Sequence, residues 1–85
     1  MTEETRSERT ARLLVARLDA LARAAGQLRH AEAERLVELA SVATMHAVAL
    51  EMIQAEKAEE IWREAHARHP ELPQVMVELP ERMAA

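Results

Sequence analysis

The chain has 85 residues and a net charge of −4, with no Cys, one Trp and neither Phe nor Tyr. It makes one small domain at most, and the missing Cys excludes disulfides, thiolate zinc sites and a cysteine nucleophile. The first residues are densely charged with no apolar signal core, and the longest uncharged run falls short of the ~20 apolar residues a bilayer span needs, so the reading is a cytoplasmic protein with no membrane partner.

Charge is uneven along the chain. Residues 1–30 carry six Arg against three Glu and one Asp, giving +2; residues 31–69 carry four basic and eight acidic groups, giving −4. The two parts complement each other, within one chain or between copies. The acidic total argues against nucleic acid, whose phosphates draw concentrated positive charge.

Eighteen Ala, one Gly, one Asp and no Asn leave little turn chemistry before Pro70. The expected fold class is therefore all-α: a helical hairpin with a long second helix, assembled into a dimeric or higher bundle, with an extended Pro-punctuated tail. Thr5-Arg6-Ser7-Glu8 fits a capping box that opens a helix over about 5–25. Ala11, Leu14, Val15, Leu18, Leu21, Ala22 and Ala25 recur at helical spacing and define its apolar face. Arg6, Arg9, Arg12, Arg17 and Arg23 fall on the other side. They read first as a solvated face and second as a phosphate-binding ridge, with no aromatic or glycine-rich element to support the latter.

Were the helix to run through Gly26, Arg29 and Glu32 would land in the apolar face, so a turn is placed over about 26–30. A second helix over about 31–69 follows, ended by His69-Pro70 because the residue before proline is pushed out of the α region. Within it Leu39 to Leu50 is uncharged and apolar nearly all round, which predicts cover on every side. At ~1.5 Å per residue this helix is about 60 Å long against about 30 Å for the first, too long for the first to cover. The chain's own copies are the natural cover, through Leu36, Leu39, Ala43, Ala47, Leu50, Ile53, Ala58 and Ile61.

Residues 70–85 read as an extended tail in which Val75, Val77 and Leu79 alternate against Met76 and Glu78, a strand-like pattern suited to clipping onto another protein. Trp62, on the flank of the main stripe, is the other candidate partner contact. The expected function is a non-catalytic interaction or assembly protein: an adaptor, a regulatory or neutralising partner, or a small subunit of a larger complex.

Two alternatives stand beside it: a metal- or small-ligand-binding helical bundle, possibly enzymatic, and a nucleic-acid binder using the Arg face. No cofactor is implied, and no catalytic constellation or phosphate loop is present. The ligand candidates are His46 and the Glu59, His66 and His69 face. A helical carboxylate–histidine metal motif wants Glu three residues before His; before His46 that position is Ala43. His46 thus reads first as a neutral core histidine, and if copies pair around it two imidazoles meet on the symmetry axis. His66 and His69 can share a metal at i,i+3, but polar groups in a last turn also suit the helix dipole.

Overall fold

The computed structural model describes residues 3–74. Three helices, α1 (Arg6–Ala25), α2 (His30–Ala49) and α3 (Ala55–Arg68), make up an all-α fold with no strand among the described residues. None of the three is long and apolar enough to cross a membrane. The strand-like stretch Val75–Leu79 lies outside the described residues.

α1 opens on the Thr5 capping box. The Glu8 amide donates to Thr5 Oγ1 at 3.0 Å and the Thr5 amide donates to Glu8 Oε1 at 2.9 Å, so two first-turn donors are satisfied. The helix stops at Gly26, and the Gln27 and Leu28 amides close the turn on the carbonyls of Ala24 and Ala25. α2 then starts without a Ser, Thr, Asp or Asn cap. Glu32 substitutes: its carboxylate accepts the Arg29 amide at 3.2 Å.

The single helix expected over 31–69 is two helices. α2 ends with Glu51 in the left-handed region (φ 58°), the Glu51 amide bonding Val48 O and the Met52 amide bonding Ala47 O, both at 2.9 Å. That pair of bonds is the Schellman closure, which usually places Gly where Glu51 stands. The reversal has a clear physical return. A continuous helix would carry Ile53, Ala58 and Ile61 away from α1, whereas the break folds α3 back so that they are buried in the same chain.

α1 is the middle element, packing against both α2 and α3, which touch each other less. The core joins Leu18 and Ala22 of α1, Val37 and Ala40 of α2, and Ala58, Ile61 and Ala65 of α3. Ile53 and Leu72 complete it, so the chain just past α3 returns to the core, and Pro73 is buried as well; residues 75–85 of the extended tail expected over 70–85 lie outside the described residues. The body measures 39 × 38 × 18 Å, a slab about two helix diameters thick.

Candidate interaction surface

α2 carries two apolar seams. Ala33, Val37, Ala40 and Thr44 follow one another at four- and three-residue steps and are buried against the rest of the chain. Leu36, Leu39, Ala43, His46 and Leu50 follow the same rhythm about a third of a turn away, and all five face solvent. This alternation of three and four keeps a stripe facing a partner helix. Leu39 is 61% exposed and Leu50 66% exposed, with Val42 on the flank at 40%.

α1 extends the same face. Leu13, 54% exposed, points away from the core face of its helix. With Thr10, Leu14 and Arg17 it forms one wall of an open groove of about 370 Å³, whose other wall includes Ala43, His46 and Leu50. Single exposed leucines are ordinary, but contiguous large apolar patches mark interaction sites.

The expected interface residues divide between the two seams. Leu36, Leu39, Ala43 and Leu50 are exposed on the outer face and Ala47 is half-buried in the groove wall. Ile53, Ala58 and Ile61 are 2–3% exposed in the chain's own core, which corrects their assignment to the face between copies. His46 is corrected as well: it is exposed on the groove rather than buried as a core histidine.

Trp62 faces inward from α3. Its Nε1 donates to Thr44 Oγ1 at 3.1 Å and its ring lies 5.9 Å from that of His66, so its polar edge is engaged within the chain. His66 is held in turn between two carbonyls, with Nδ1 3.0 Å from Trp62 O and Nε2 3.1 Å from Pro73 O. The neutral ring can donate to one of these and the protonated ring to both.

His69 points elsewhere. Its Nε2 lies 2.8 Å from Asp19 Oδ1 and its Nδ1 3.5 Å from Glu71 Oε2. Arg68 Nη2 donates to the same Asp19 oxygen at 2.9 Å. The Arg68 hydrogen bond, then that from His69, holds the Asp19 carboxyl below the ordinary aspartate range. Glu59 is exposed and bonds neither histidine. Among the described residues no three His, Asp or Glu side chains converge to hold a metal ion, so the Glu59, His66 and His69 set does not form a centre.

Asp19 and Thr44 are the two structural polar groups that sequence reasoning passed over. Asp19 is the only Asp in the chain, a poor helix former set in the middle of α1, and that oddity was the available signal. Comparison with protein-family models, with curated proteins and with solved structures finds no match to this chain.

Proposed function

We propose that this chain is a non-catalytic interaction or assembly protein, and that another protein chain covers the outer face of α2. The observation that carries the reading is the exposure of Leu39 and Leu50 at seam positions, beside Leu13 of α1. Five apolar residues, Leu13, Leu36, Leu39, Val42 and Leu50, leave on the order of 400 Å² in water at these exposures, within the range of the largest apolar patch on a typical monomer, which is often functional. A covering chain removes that area from water at roughly 25 cal/mol per Å². The remaining exposed surface of α2 and α3, with Glu34, Glu38, Glu56, Lys57, Glu59 and Arg63, is a solvated face.

A photo-reactive residue tests this inside the producing cell. With benzoylphenylalanine replacing Leu39, irradiation should give a protein-sized adduct; the same residue replacing Glu34, on the polar side of α2, should not. No adduct at either position, or equal adducts at both, overturns the reading.

A further inference from the structure

Two histidines near the end of α3 each have an oxygen on both sides of the ring. His66 Nδ1 lies 3.0 Å from Trp62 O and its Nε2 3.1 Å from Pro73 O. His69 Nε2 lies 2.8 Å from Asp19 Oδ1 and its Nδ1 3.5 Å from Glu71 Oε2. A neutral imidazole carries one N–H, so in either tautomer one nitrogen turns a lone pair toward an oxygen; the protonated ring donates from both. Two of the four oxygens, those of Pro73 and Glu71, belong to the stretch past α3 that returns to the core. Leu72 and Pro73 bury themselves there, and the Leu72 amide donates to His69 O at 2.9 Å.

We propose that residues 69–74 form a proton-operated strap: protonation of His66 and His69 fastens it against α1 and α3, and loss of those protons loosens it and uncovers Leu72. Around His69, Asp19 faces the ring from α1 and Glu71 from the strap, while Arg68 shares the same Asp19 oxygen at 2.9 Å. Asp19, Glu71 and Arg68 sum to −1, which a protonated His69 brings to zero. No carboxylate pairs with His66 among the described residues; its gain is the second N–H on a carbonyl oxygen. From α2 only the neutral Thr44 reaches this end, through Trp62. The opposing charges are Arg63, one turn before His66, Arg23, one turn past Asp19, and the two imidazoliums themselves, three residues apart. Arg63 and Arg23 are exposed, so water and salt screen them, whereas both histidines are half-buried and hold their oxygens at contact distance. Each proton thus adds a donor that only the docked strap can use. Docking is strongest below the imidazole range and weakens as pH rises through it, over about pH 5 to 8. That interval lies above the acid range in which Asp19 and Glu4, both lowered carboxyls, lose their charge.

Methyl and histidine-ring NMR spectra of the full chain, recorded from about pH 5 to 8.5, read the strap directly. The Leu72 methyl signals should move toward unfolded-chain positions as pH rises, with the midpoint of the His66 and His69 rings. In His66→Gln/His69→Gln, whose new side chains do not titrate, that movement should vanish. In His30→Gln/His46→Gln, which removes the two histidines of α2, it should persist. The melting temperature of the wild type should fall by about 4–8 °C between pH 5.5 and 8, and that of the His66/His69 variant by less than a third as much. Glu71→Gln, at a half-exposed side chain whose loss leaves the core intact, should move the Leu72 midpoint to lower pH, since His69 loses a negative partner.

Leu72 signals that stay constant in the wild type overturn the proposal. So does a response that survives in the His66/His69 variant, one that disappears in the His30/His46 variant, or a midpoint indifferent to Glu71→Gln.

Discussion

Trp62 Nε1 donates to Thr44 Oγ1 at 3.1 Å, and Thr44 Oγ1 donates its own proton to the Ala40 carbonyl at 2.8 Å. This is the one side-chain hydrogen bond between α2 and α3 among the described residues. It joins the two helices that otherwise touch least, at a threonine only 7% exposed. Thr44→Val keeps the shape and removes the acceptor, leaving an indole N–H without its partner. The expected loss is about 1–2 kcal/mol by urea denaturation followed by Trp62 fluorescence, with Thr44→Ser losing less than half of that. Equal stability of the Val variant and the wild type would refute the role given to this bond.

The break that creates α3 was not legible in the sequence, and the reason is specific. Leu50-Glu51-Met52-Ile53-Gln54 contains no Gly, Pro, Asn or Ser, and Ala58, Ile61 and Ala65 stay roughly in phase with Ala40, Thr44 and Ala47 across it. Periodicity therefore runs through the turn undisturbed. What breaks the helix is the tertiary gain of burying Ile53, Ala58 and Ile61 against α1, a term that no local pattern contains. The start of α1 was legible because its cap is written in two side chains, Thr5 and Glu8. Its end was legible because Arg29 and Glu32 would otherwise have been buried. The uncharged run from Leu39 to Leu50 did mark a helix needing cover on several sides, but the sequence alone could not say which side the same chain covers.

The position of the only glycine gives a paired prediction. Glu51 holds φ 58°, a region that costs an L-residue about 1–2 kcal/mol, while Gly26 sits at φ −67° in the ordinary helical region. A methyl group at Gly26 would meet only the Arg23 carbonyl, at 3.7 Å, an ordinary contact. Glu51→Gly should therefore raise stability by about 0.5–1 kcal/mol, the gain reduced by glycine's greater freedom in the unfolded chain. Gly26→Ala should raise it by about 0.4–1 kcal/mol through the unfolded state. Thermal melts should show each variant melting a few degrees higher, and the pair adding. A lower melting temperature for Glu51→Gly would contradict the left-handed assignment.

Asp19 ties the middle of α1 to the end of α3, and its hydrogen bonds from Arg68 and His69 lower its carboxyl from the usual value. A carboxyl depressed in the folded state contributes stability that is full above its unfolded value, ~3.9, and is lost as pH falls through the folded value. Glu4, lowered by the Arg12 guanidinium that it binds at 2.9 and 3.0 Å, adds to the same acid limb. Asp19→Asn should reduce stability at neutral pH and flatten the fall below about pH 4 without abolishing it, Glu4 being intact. Since Arg68 and Asp19 remain part-exposed, added salt should shrink the difference between variant and wild type. Parallel acid-titration curves for the two proteins would show that this cluster contributes nothing.

Ile61 and Leu50 separate the chain's own core from its outer face. Ile61 is 3% exposed among Leu18, Ala58 and Ala65, whereas Leu50 is 66% exposed at the rim of the groove. Truncating a buried Ile to Ala costs about 2–5 kcal/mol, from lost transfer energy and the cavity left behind. Ile61→Ala should then unfold at markedly lower denaturant whatever the protein concentration, because the contacts it loses lie within one chain. Leu50→Ala should fall within about 0.5 kcal/mol of wild type in dilute solution, where no second chain covers it. Where a covering chain is present, a gap should open between Leu50→Ala and wild type, since only the wild type gains the full contact. Measuring both variants at two protein concentrations gives four midpoints. A concentration-dependent loss at Ile61 with none at Leu50 would reverse the assignment of the two seams.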